Sequence, residues 1–138
     1  MSYITPASRL HRTVRKLSRF SVIAPASALE QIQYLLASDE RILGCYLGNQ
    51  DSEHIFFTDY AVMFTDTLEP KISKITYKSI EDIDFPLPAS SSIDLTLCLN
   101  DDTKKVLRVV GVVGNTRDVF EVGRFFMRVV ADLKKIEI

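Results

Sequence analysis

The chain has 138 residues, 46% of them apolar with 8 Phe and 5 Tyr, enough for one domain with a core that needs neither disulfide nor metal. A formal charge of −1 excludes a molecule that is a polyanion binder over its whole surface, and no apolar run of roughly 18 residues provides a membrane-spanning helix. The charge is unevenly spread: residues 1–29 carry Arg9, Arg12, Arg15, Lys16 and Arg19 and no acid, so the rest of the chain is net −6.

The first expected element is a short basic helix. Leu10, Val14 and Leu17 follow i, i+4, i+7 spacing, the arginines lie off that stripe, and Pro6 and Ser8 suit its start. Ser21 to Pro25 reads as a break, so residues 1–26 form a basic arm and residues 27–138 the domain proper. A second helix opens with the capping box Ser27-Ala28-Leu29-Glu30 and presents Leu29, Ile32, Leu35 and Leu36. Ser38-Asp39-Glu40 ends it.

From Arg41 the apolar period becomes two. Seven strands are expected at about 41–48, 52–58, 61–66, 71–77, 80–85, 92–99 and 105–113. The clearest is Ile93 to Leu99, with aliphatics on one face and Asp94, Thr96 and Cys98 on the other. Gly48 to Asp51, Thr58-Asp59-Tyr60, Asp66 to Pro70 and Asn100-Asp101-Asp102 supply the turns, and Pro86 and Pro88 open a longer loop. A last helix is expected over 117–135, capped by Asn115 or Thr116. Val119, Val122, Phe126, Val130 and Leu133 make its stripe, widened by Phe120, Phe125, Val129 and Ile136. Strands followed by one apolar helix give an α+β fold: a bent, antiparallel seven-stranded sheet or partial barrel capped by the C-terminal helix, preceded by one or two N-terminal helices.

Asp39-Glu40-Arg41-Ile42-Leu43, Ile55-Phe56-Phe57-Thr58-Asp59-Tyr60-Ala61-Val62-Met63-Phe64 and Tyr77-Lys78-Ser79-Ile80-Glu81-Asp82-Ile83 resemble the openings of strand one, of the second hairpin and of strand five in bacterial pleckstrin-homology-like domains. The resemblance spans about residues 29–135 and implies that fold. Members that hold phosphoinositides use Lys and Arg beside the first strand loop. Here that loop is Gly48-Asn49-Gln50-Asp51-Ser52-Glu53-His54, whose two acids repel a polyphosphate, so headgroup binding is not expected to carry over. The resemblance to bacterial members implies self-assembly or scaffolding instead.

No nucleophile motif, phosphate loop, dinucleotide fingerprint or metal-ligand spacing occurs, so no enzyme activity, catalytic residue, cofactor or metal is expected. A His54–Cys45 dyad across the first hairpin lacks a third orienting group, and the bland reading is a surface His and a buried Cys. Asp101-Asp102 and Asp82/Asp84 read as turn and strand-end solvation. Cys45 and Cys98, isolated in apolar stretches, fit a reducing, cytoplasmic compartment.

The leading expectation is a non-catalytic module that associates with itself or docks a protein through a sheet edge or the last helix, with Phe125, Val129 and Ile136 as contact residues. The alternative is a peripheral membrane module in which Arg9, Arg12, Arg15, Lys16 and Arg19 lie on anionic lipid. Nucleic acid is the weaker polyanion for this arm, because no aromatic platform accompanies it, and no small-molecule substrate is indicated. The arm's composition also suits a targeting segment, or one docked on the acidic body.

Overall fold

The computed structural model describes residues 6–50, 53–67, 71–86, 93–111 and 117–136, with the backbone alone at Arg117, Lys135 and Ile136. Chain order is α1 (Pro6–Arg12), a 3-10 turn (Val14–Lys16), β1 (Phe20–Ser21), α2 (Ala26–Ile32) with a 3-10 turn (Gln33–Leu35), then β2 (Ile42–Tyr46), β3 (Ile55–Thr58), β4 (Ala61–Thr65) and β5 (Ile72–Thr76). A 3-10 corner at Tyr77–Ser79 leads into β6 (Ile80–Asp84), β7 (Asp94–Leu99) and β8 (Lys104–Arg108), and α3 (Arg117–Ile136) ends the chain.

All seven strands expected from the alternation are present, each shorter than expected, although β8 starts one residue early at Lys104, and every pairing is antiparallel. They divide into two sheets, β1-β2-β3-β4-β5 and β6-β7-β8. The division falls at the 3-10 corner, where the Ser79 hydroxyl donates to Thr76 O and the Asn100 N–H to Ser79 O. The seam between β4 and β8 is closed by backbone and carboxylate together: Thr67 N–H donates to Val106 O at 3.0 Å and Val106 N–H to Asp66 Oδ1 at 3.2 Å.

One core fills the space between the sheets. Tyr46, Phe57, Val62, Phe64 and Ile75 point inward from the first sheet, and Ile80, Ile83, Leu95, Leu97 and Leu107 from the second. α3 supplies Val119, Val122, Phe125, Phe126, Val129 and Val130. Its aromatics make a tight group: Phe57 and Phe125 meet edge-on at 5.1 Å, Tyr77 and Phe125 at 5.6 Å, Phe125 and Phe126 at 5.3 Å. Phe125 and Val129 are thus interior residues of this chain, 0% and 2% exposed, and not the contact surface expected of them. The stripe is broad because α3 packs both on the core between the sheets and on the N-terminal segment that carries Leu10 and Val14. The side chain of Ile136 lies outside the described residues, as do Asn115 and Thr116.

The first sheet is covered on its other face too. Register aligns Cys45, Phe56 and Met63 in one row across β2, β3 and β4, and α2 lays Ala28 and Ile32 upon them as a second apolar cluster. α2 starts at Ala26 with Pro25 in the capping position and no side-chain cap, so Ser27 falls inside the first turn and the expected capping box does not set the helix start.

Residues 1–26 do not form a separate arm over the described part. Leu10 and Val14 are buried in the main core, with Leu17 and Phe20 packed against it. β1 takes only the first residue of the break expected over Ser21 to Pro25, pairing Phe20 with Tyr46 and Ser21 with Cys45, and the chain is irregular from Val22 to Pro25. A glycine permits this. A Cβ on Gly44 would sit 2.1 Å from Phe20 Cζ.

Two outcomes check the packing. Phe126→Ala should cost about 3–5 kcal/mol, read as a lower urea midpoint at constant m, while exposed Met127→Ala should stay within about 0.5 kcal/mol; equal losses would mean that α3 is not seated as described. Gly44→Ala should destabilise by about 1–3 kcal/mol through overpacking and should be rescued by Phe20→Leu; an unchanged midpoint would place Phe20 elsewhere.

Candidate functional site

Of the five basic residues expected to meet lipid, the structure uses two internally. Arg9 is buried, and its Nε and Nη2 donate to Asp132 Oδ2 and Oδ1 of α3, both at 2.8 Å. That hydrogen bond raises the Arg9 pKa further. Arg19 Nε donates to Gly111 O at 2.6 Å, and its other nitrogens reach Leu47 O and Asn49 Oδ1. Arg12, Arg15 and Lys16 are exposed, with Arg15 bonded to His11. The apolar stripe between them is inside the core, so these three cations stand without an insertable face of their own.

Gly111 adopts φ 66°, a backbone region that favours glycine. Its N–H donates to Tyr46 Oη at 3.0 Å, and that hydroxyl donates to Asp118 Oδ2 at 2.6 Å. Burial, then Asp118, pushes the phenol pKa up, so it stays a donor. Arg19, Gly111, Tyr46 and Asp118 thereby fix the first turn of α3 to β2.

The phrases that carry the resemblance converge at the β3–β4 turn. Thr58 Oγ1 accepts from Ala61 N–H at 2.8 Å and Tyr60 N–H at 3.1 Å and bonds the Glu40 carboxylate. Lys74 Nζ joins Glu40 and also donates to Leu35 O. Tyr77 Oη donates to Thr58 O at 2.7 Å. The Glu40 side chain, only 1% exposed, is held charged: burial opposes ionisation, but hydrogen bonds from Lys74, Thr58 and the Ala37 N–H outweigh it, and the pKa is lowered. These residues brace two turns and α2. They do not form a reactive centre.

Cys45 and His54 do not form a reactive pair. Cys45 is fully buried, and desolvation pushes its thiol up to about 12, which favours the thiol over the thiolate at neutral pH. His54 is buried rather than on the surface, and its Nδ1 accepts from Gly48 N–H at 2.9 Å. It lines a cleft of about 250 Å³ whose charged wall includes Glu53, Asp66 and Arg108. Asp66 spans the seam to Val106 N–H and lies 3.7 Å from Lys105 Nζ. With two carboxylates present, this end lacks the cationic cradle that a polyphosphate needs. Among the described residues no group of three or more His, Cys, Asp or Glu side chains is placed to hold a metal.

The remaining site is a groove between the β6 edge and α3. β6 is an edge strand, and a register shift between Ile80 and Asp82 bends it. Two of its backbone groups are met by side chains: Lys134 Nζ donates to Glu81 O at 3.4 Å, and Ile83 N–H donates to Asp82 Oδ1 at 2.9 Å. At one end Phe85 stacks on Phe120 at 5.8 Å and lies over Gly123, where a Cβ would meet it at 2.1 Å. At the other a cavity of about 230 Å³ has Ile80, Val130 and Leu133 as its apolar floor and Lys78 and Lys134 on its rim. Gly123, Met127, Val130 and Lys134 share one stripe of α3, so Met127, 50% exposed, occupies the middle of the groove. Asp82 and Asp84 sit on the outer face of the edge, opposite Cys98 and Thr96. Sequence reasoning read Asp82 and Asp84 as strand-end solvation and did not single out Met127 or Lys134, although two signals existed: three acids within the five-residue strand Ile80–Asp84, and a Met one position off the main stripe.

No protein-family model matches the chain, and no curated protein matches it. A solved structure, that of a DUF1696 family protein with a pleckstrin-homology domain from Shewanella loihica PV-4, superposes with a TM-score of 0.50 at 13% identity, over 81% of this chain and 97% of that one. The fold is therefore pleckstrin-homology-like, α+β with two antiparallel sheets and a C-terminal helix. Among the described residues no helix is long and apolar enough to cross a membrane.

The Glu40 knot predicts an acid limb in stability. A native pKa below the ordinary 4.5 contributes stability that is complete above about pH 4.5 and lost as pH falls through the lower native value. Glu40→Gln should lower stability at pH 7 by about 1–3 kcal/mol. That deficit should shrink as wild type is acidified; a deficit constant from pH 7 to pH 3 would remove the charge from the account.

Proposed function

We propose that this chain is a non-catalytic protein-docking module that receives an extended segment of a partner along the β6 edge, in the groove against α3. The observation that carries this reading is the pair of side-chain stand-ins, Lys134 on Glu81 O and Asp82 on Ile83 N–H. They offer the edge the donor and acceptor that a neighbouring strand would otherwise supply, at modest cost to displace. An added strand alternates its side chains. One set would rest on Met127 and the α3 face, and the other beside Asp82 and Asp84.

Charge selects the partner. Glu81, Asp82 and Asp84 are all exposed, so a second β6 edge brought alongside would be repelled. A strand with basic residues at alternate positions would be attracted. Together with the burial of Phe125 and Val129, this favours another protein over self-association through either surface.

A positional-scanning hexapeptide library tests the reading. Binders should carry Lys or Arg at alternate positions and should shift the amide resonances of Ile80–Phe85 and of Met127. Met127→Glu should weaken them at least about five-fold, roughly 1 kcal/mol. Binders that perturb another face, or a library without binders, would overturn the proposal. Light scattering should show a monomer; a dimer dissolved by Met127→Glu would make the occupant a second copy and defeat the heterologous reading.

A further inference from the structure

We infer that the groove ends in a receptor for a free C-terminal carboxylate, so that the partner's last residues add antiparallel to β6 and terminate at its start. This rests on the strand-docking reading and specifies its ligand.

The β6 edge stops at Ile80. Before it the chain turns as a 3-10 corner, and the carbonyls there are occupied: Ser79 O by Asn100 N–H at 2.9 Å and Lys78 O by the Asn100 side-chain amide at 3.2 Å. A partner strand running past Ile80 finds these carbonyls already occupied, so its ladder with β6 ends there. At that point lies the cavity of about 230 Å³, a volume equal to several water molecules, with its apolar floor of Ile80, Val130 and Leu133.

The charge runs the same way. Lys78 and Lys134 rim the cavity against a single carboxylate, Glu81, whereas Asp82 and Asp84 flank the opposite end. A carboxylate at the Ile80 end and basic residues toward Asp84 fix the direction of the added strand as antiparallel to β6. Its arrival also frees a cation. The N–H that the ligand donates to Glu81 O replaces Lys134 Nζ, which then turns to the terminal carboxylate beside Lys78.

The probe is the pentapeptide acetyl-Lys-Val-Lys-Val-Leu, as free acid and as C-terminal amide, titrated into the full ¹⁵N-labelled chain. The free acid should bind about five-fold tighter than the amide at low salt, the range of partly exposed charge-assisted contacts. Lys78→Gln and Lys134→Gln should each narrow that ratio toward one, and neither side chain is part of the core. Equal affinity of acid and amide, with shifts still centred on Ile80–Phe85, would overturn carboxylate capture and leave strand docking standing. Shifts on another face, or binding of neither peptide, would overturn both.

Discussion

The contact among Phe57, Tyr77, Phe125 and Phe126 is the one on which the rest of the molecule depends. Each ring comes from a different requirement. Phe57 lies on β3 in the row Gly44, Phe57, Val62, Ile75; Tyr77 stands at the corner where one sheet gives way to the next; Phe125 and Phe126 are adjacent on α3. Edge-on and tilted packing of these rings locks both sheets to the helix at one point. Tyr77 also donates to Thr58 O, so the aromatic group is coupled to the turn that Glu40 and Lys74 brace. Loss of the wedge would leave two small sheets, neither able to bury its inner face alone.

Charged groups in this protein work mostly as internal fasteners. Arg9 ties α1 to α3, Arg19 ties the approach to β1 to Gly111, Lys74 ties β5 to Glu40, and Asp66 ties the β4 end to β8. Each spans two elements that share no strand ladder. A basic segment followed by an acidic body is therefore partly the signature of intramolecular docking, and the potential left for partners is smaller than the sequence suggests. Arg12, Arg15 and Lys16 are the residue of that potential on the arm; Glu81, Asp82 and Asp84 are its counterpart on the β6 edge.

α3 consequently has two duties. One face is core, and its margin, along Gly123, Met127, Val130 and Lys134, walls the groove, with Val130 shared between the two. The close approach of Phe85 over Gly123 sets the groove's width at one end, and the reach of Lys134 to Glu81 sets it at the other. The stability of the wedge and the geometry of the groove proposed for docking are thus coupled through one helix, which holds the β6 edge against it.

The alternation of apolar residues was enough to place all seven long strands and the final helix, because burial on one face imposes a period of two or 3.6 whatever the partner is. It also gave the α+β class, while the likeness to pleckstrin-homology-like domains rested on the phrases Asp39–Leu43, Ile55–Phe64 and Tyr77–Ile83. Periodicity cannot say what covers a face. Only the tertiary structure decided that α2 lies on the outer row Cys45, Phe56, Met63, that Phe125 and Val129 face inward, and that Leu10, Val14 and Phe20 complete the core. The two-residue β1 was illegible because its existence depends on the space above Gly44, not on its own pattern. Arg9 read as a ligand-binding cation because its partner, Asp132, is 123 residues away in sequence. The groove was illegible for the same reason: Glu81 and Lys134 meet only once the helix has been folded back along the strand, and long-range contact is information that local spacing does not carry.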